Sequence, residues 1–139
     1  MKKLALSIVA ILVAITTVFG LTACGETPEQ KLKSYIESDT VQEQISSMTS
    51  SFESMLDIDV KAEGEEVVFD FTYKTQIDDA TLETVKSQLE TAFDSLASTF
   101  ESMANQIKKE VGIENATVVI NINNADGTNI VNLEYKATE

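Results

Sequence analysis

The chain has 139 residues, 43% of them apolar, with 23 acids, ten lysines, no arginine and one cysteine. That size suits one small domain beside an export segment, and the lone Cys24 excludes an intramolecular disulfide. A formal charge of −13 leaves no basic stripe to release counterions from phosphates, which excludes nucleic-acid binding.

Met1-Lys2-Lys3 is a short positive start, and Leu4 to Phe19 is apolar except for Ser7, Thr16 and Thr17. The stretch is too short and too weakly flanked for a stable spanning helix and suits the core of a signal peptide. Leu21-Thr22-Ala23-Cys24-Gly25 follows, which resembles the bacterial lipobox. The resemblance implies that residues 1–23 are a cleavable signal, that Cys24 receives a diacylglyceryl group, and that the product sits lipid-anchored on the extracytoplasmic face of the cell membrane. Two acyl chains are enough for stable anchoring, at about 0.8 kcal/mol per buried CH₂. Cleavage removes Lys2 and Lys3, leaving 116 residues with eight lysines against 23 acids, a charge of −15. An anionic lipid surface repels such a body, so attachment falls to the lipid. Residues 24–27 form the anchor and a tether, and Gly25 and Glu26 extend only about 10 Å. The domain is expected to sit close above the bilayer.

The remaining segment, 28–139, reads as a single domain. Thr27-Pro28-Glu29-Gln30 is a capping box with proline at the first helical position, and a short helix follows through Leu32, Tyr35 and Ile36. Asp39 and Gln42 are placed as a second cap and its partner. The next helix carries Val41, Ile45, Met48, Phe52, Met55 and Leu56 on one face. The period then drops to two. Ile58, Val60 and Ala62, then Glu63-Gly64-Glu65, then Val67, Phe69, Phe71 and Tyr73 predict a hairpin with one buried face.

Asp78-Asp79 opens a long predicted helix whose stripe runs Leu82, Val85, Leu89, Phe93, Leu96, Phe100, Met103, Ile107, Val111, near a period of 3.6. Gly112 ends it as a left-handed cap. A second hairpin closes the chain. Ala116, Val118, Ile120 and Ile122 face one way, Asn124-Ala125-Asp126-Gly127 turns, and Asn129, Val131, Leu133 and Tyr135 return.

The two halves look alike. Ser50 to Met55 recurs as Ser98 to Met103, and Phe69 to Lys74 recurs as Val131 to Lys136. Old duplication and shared physical demand both account for this. Either way the expected fold is α+β: two helix-strand-strand halves forming a four-stranded antiparallel sheet with helices packed on one face. A helix from Asp79 to Val111 is about 50 Å long while eight-residue strands span about 27 Å. The overhang needs cover, from residues 28–56 or from a protein partner or homodimer through the long helix.

The composition also limits chemistry. There is no histidine and no tryptophan, so Ser-His-Asp and Cys-His machinery and histidine-bearing zinc sites are excluded. Glu65-Glu66 and Asp78-Asp79 fall at a turn and a helix start, where acids have structural reasons to be. Asn124 to Asn129 has the flavour of a calcium loop but has Ile122 and Leu133 where the opening aspartate and closing glutamate belong, and a hairpin turn explains it better. No enzyme, metal or cofactor is expected.

The solvent face of the sheet is the most informative surface. It is predicted to carry Asp59, Lys61, Val68, Asp70, Thr72, Thr117, Val119, Asn121, Asn123, Ile130, Asn132 and Glu134. Asp70, Thr72, Val119, Asn121 and Asn132 are its candidate binding residues. Residues 30–136 resemble an uncharacterised family of small Gram-positive lipoproteins, a domain of unknown function. The resemblance is carried by Leu21 to Cys24, the strand Val67 to Lys74, the long Leu/Phe helix and Asn132 to Lys136. It implies a location and supplies no catalytic residue. The expected activity is a non-catalytic binding or assembly module, and the alternative is a lipoprotein that binds a small molecule or cation.

Overall fold

A computed structural model describes residues 27–138. The expected signal 1–23, Cys24 and the tether to Glu26 lie outside the described residues, as does the side chain of Met48. The first helix, α1 (Pro28–Ile36), begins with the expected reciprocal cap. Thr27 Oγ1 accepts from the Gln30 amide at 3.3 Å, and Gln30 Oε1 accepts from the Thr27 amide at 3.1 Å. The second cap falls one residue earlier than the sequence suggested. Ser38, not Asp39, caps α2 (Asp39–Thr49), accepting from the Val41 amide at 3.4 Å. Gln42 donates instead to the Ile36 carbonyl at 2.6 Å, tying α2 to the end of α1.

A 3₁₀ turn, Ser50–Phe52, ends this helical region, and Leu56 is already the first residue of β1 (Leu56–Glu63). Leu56 fits both a four-residue step from Phe52 and a two-residue step to Ile58. Pairing with Tyr73 decides it, and Met55 is left 39% exposed at the junction. Gly64, at φ 58, turns the chain into β2 (Glu66–Tyr73). A positive φ at the first turn residue only is the pattern of a type II′ hairpin turn.

The expected long helix is two helices, α3 (Asp79–Asp94) and α4 (Ala97–Val111). They are about 24 and 22 Å long, each shorter than the eight-residue strands of the sheet. Hydroxyl groups mark the break. Thr91 Oγ1 donates to the Ser87 carbonyl at 2.8 Å and Ser95 Oγ to the Thr91 carbonyl at 3.1 Å, a pattern that bends helices. The Leu96 amide then bonds the Phe93 carbonyl at 2.9 Å, a three-residue step that tightens the turn. Asp78 caps α3 and Gly112, at φ 85, terminates α4, both as expected.

Strands β3 (Thr117–Asn123) and β4 (Asn129–Lys136) complete a sheet of order β1-β2-β3-β4. The sheet is mixed. Each hairpin is antiparallel, but the central β2–β3 pair is parallel, with Glu66 beside Thr117 and Thr72 beside Asn123. This corrects the expected all-antiparallel sheet. The helical connection carries the chain from the end of β2 back to the end where β2 began, so β3 starts in the same direction.

All helices feed one core. Leu32 and Ile36 of α1, Val41 and Ile45 of α2, Val85, Leu89 and Phe93 of α3, and Phe100, Met103, Ile107 and Val111 of α4 are buried with the inward strand residues. The apolar stripe of α3 and α4 is thus used within the chain. The long overhanging rod, for which cover from residues 28–56, a protein partner or a homodimer was expected, is not formed. At the break, the Phe100 ring lies 6.0 Å from that of Phe93 and 4.8 Å from that of Tyr135, and Tyr135 Oη donates to the Phe93 carbonyl at 3.4 Å. Among the described residues no helix is long and apolar enough to cross a membrane.

Candidate functional site

Alternation along the strands sends every second side chain away from the helices. The register aligns these into rows across the sheet: Asp59, Asp70, Asn121 and Asn132 form one, and Lys61, Val68, Val119 and Glu134 the next. Thr72 lies two residues from Asp70 and beside Asn123. The five residues expected to form a binding face, Asp70, Thr72, Val119, Asn121 and Asn132, therefore share one helix-free surface. Val68 and Val119 face it yet are only 4% and 6% exposed.

One expected member is elsewhere. Ile130 belongs to the core, because the register shifts at Ile122/Asn123 so that Ile122 pairs with Val131 but Asn123 with Asn129. The extra residue is a β-bulge that reverses the local alternation. It turns Ile130 inward and brings Asn129, expected inside, to the surface, where its Nδ2 donates to Asn123 Oδ1 at 3.0 Å. In the next row Asn132 Nδ2 donates to Asn121 Oδ1. The β3–β4 half thus presents linked amides.

The β1–β2 half is charged. Lys61 Nζ lies 3.0 Å from Glu63 and 3.3 Å from Asp70. Hydrogen bonds to Glu63 and then Asp70 raise the Lys61 pKa above the ordinary lysine value. Lys74 pairs with Asp57 at 3.1 Å, and Lys136 with Glu134 at 3.8 Å. Around the β1–β2 turn, Glu63, Glu65, Glu66, Asn115, Thr117, Lys136 and Ala137 line an open cleft of about 460 Å³. Among the described residues no three Asp or Glu side chains are gathered to hold a metal ion. The surface offers amide hydrogen bonds and carboxylates, chemistry suited to recognising polar or cationic groups.

Two turns at the other end of the sheet hold it in shape, and sequence reading missed how. Asn124, 2% exposed, accepts from the Ile77 amide at 2.8 Å and donates to the Ile77 carbonyl at 2.9 Å. Beside it, Gln76 Oε1 accepts from the Asp126 amide at 3.0 Å while Gln76 Nε2 donates to Asp126 Oδ2 at 3.3 Å. Hydrogen bonds from Thr128 lower the Asp126 pKa below its usual value. The segment weighed as a calcium loop is a hairpin turn whose polar groups are engaged by the chain itself.

No curated protein and no solved structure shows significant similarity to this chain. One family model does match it, over residues 32–135, from the buried Leu32 of α1 to Tyr135 of β4. Since that stretch takes in the core helices, the mixed sheet and its helix-free face alike, the chain belongs to the family described as Domain of unknown function (DUF4854).

Proposed function

We propose that this protein is a lipid-anchored extracytoplasmic lipoprotein whose domain binds a protein partner, without catalysis, through the helix-free sheet face. The observation that carries the reading is the gathering of Asp70, Thr72, Asn121 and Asn132 on one uncovered surface, with the buried Val119. Amides and carboxylates on a rigid sheet recognise a partner by hydrogen bonds and charge, and no histidine exists to drive acid–base chemistry. The lipobox-like Leu21 to Cys24 supports the anchor, held by two acyl chains.

The two parts are tested separately. Mass spectrometry of the native protein is expected to find an N-terminal diacylglyceryl cysteine at Cys24, and Cys24→Ala to shift the protein from the membrane pellet to the soluble fraction. A native N-terminus at Met1 refutes the anchor. For the face, cross-linking in intact cells is expected to capture a partner that Asn121→Lys with Asn132→Lys releases. Capture unchanged by both substitutions refutes the face.

A further inference from the structure

The β1–β2 half of the helix-free face carries its charges in an arrangement that works against the chain's own stability. Asp59 stands directly opposite Asp70, and Glu63 opposite Glu66. Like charges at opposed positions of an antiparallel pair repel. One cation lies between the pairs, and Lys61 reaches only one member of each, Glu63 and Asp70. Asp59 and Glu66 have no ion-pair partner among the described residues. The two pairs are four residues apart along the strands, about 13 Å. That separation decides the kind of cation that fits. A point ion meets one pair at most, and the described carboxylates are not gathered around any single position. An extended chain with spaced positive groups meets both. Strand β1, which carries Asp59 and Glu63, is also an edge strand of the sheet, the position at which extended segments of other chains are recognised.

We propose that this half of the face docks an extended basic segment of a partner protein, with lysine or arginine side chains about 13 Å apart meeting the Asp59–Asp70 and Glu63–Glu66 pairs. The proposal rests on the helix-free face being the partner surface and names the chemistry of what lies on it. Docking supplies the missing positive charge and relieves a repulsion that the free protein retains.

The experiment uses the full chain in detergent and a fluorescent peptide of about twelve residues with lysine at every fourth position. An isomer with its lysines adjacent is the comparison. Binding is read by anisotropy. The spaced peptide is expected to bind more tightly than its isomer. Asp59→Asn with Glu66→Gln is expected to weaken it about tenfold, and the charge-matched Glu83→Gln with Glu90→Gln on the exposed side of α3 less than about twofold. Equal loss in both double variants, indifference to lysine spacing, or no binding overturns the proposal, since the first two mark attraction to an acidic body as a whole. Asp59→Asn alone is expected to raise the Tm by a few degrees, and a fall removes the premise and overturns it too. If Asn121→Lys with Asn132→Lys releases the natural partner while Asp59→Asn with Glu66→Gln does not, the basic segment is refuted and the face stands. If neither pair matters, both fall.

Discussion

Asn124 joins two loops that are far apart in the chain. Its side chain does for Ile77 what a neighbouring strand would, giving and receiving one hydrogen bond each. Replacing it with alanine leaves a buried amide and a buried carbonyl without partners, each costing about 1–3 kcal/mol. Asn124→Ala is expected to lose about 2–4 kcal/mol in urea unfolding, with little change in the slope. Tyr135 gives a pH signature. Burial, then the nearby Asp94 and Glu101 carboxylates, push its hydroxyl up to about 12. An unfolded tyrosine ionises near 10, so the folded state holds the proton more tightly. The stability this represents is complete below pH 10 and is lost as pH rises through about 12. Tyr35 and Tyr73 shift in the same direction, chiefly through burial. Tyr135→Phe is therefore expected to reduce the decline in Tm above pH 10 without abolishing it. None of this was legible in the sequence, where Asn124 reads only as the start of a turn and Tyr135 only as an inward strand residue. Partners 47 and 42 positions away decide both roles.

At the scale of the element, sequence periodicity located all four strands and their buried faces, because a residue's side in a strand depends only on its immediate neighbours. It failed at three junctions. The stripe through Phe93, Leu96 and Phe100 continues across the α3–α4 break, and neither glycine nor proline interrupts it. The hydroxyls of Thr91 and Ser95, four residues apart, were the available signal. Leu56 satisfies the helical and the strand period at once. The bulge at Asn129 and Ile130 inverts an alternation that the sequence presents as regular. The five residues Asp70, Thr72, Val119, Asn121 and Asn132 still share one face, as the alternation predicted, because all lie on regular stretches. The break depends on packing, since Phe100 of α4 sits between Phe93 of α3 and Tyr135 of β4. Phe100→Ala is expected to cost about 3–5 kcal/mol, measured by denaturant titration. Gly112→Ala, which forces a β-carbon into the left-handed cap at φ 85, is expected to cost about 1 kcal/mol by the same measurement.

Over the whole molecule, net charge opposes compaction. With 23 acids against ten lysines, raising the salt from about 10 mM to about 150 mM shortens the screening length from about 30 to about 8 Å. Calorimetry is expected to show the Tm rising over that range. The resemblance of the two halves has a similar whole-molecule answer. β1 and β3 open their hairpins in opposite directions, yet both hairpins step the same way across the sheet and bury the same face. A rotation superposing one on the other would carry its helices to the wrong side. The two halves are therefore not related by a rotation in space. The parallel β2–β3 seam also fixes the sense of the two margins. Reversal within each hairpin and none between them leaves β1 and β4 pointing the same way. Copies joined margin to margin in a repeating row would meet through a parallel ladder, the less stable kind per residue. Copies related by a two-fold axis would meet β1 to β1 or β4 to β4 in the stronger antiparallel kind. A two-fold β1 pair would crowd Asp57, Asp59 and Glu63 of both copies along one seam, so charge opposes the stronger pairing at that margin while topology weakens the repeating one.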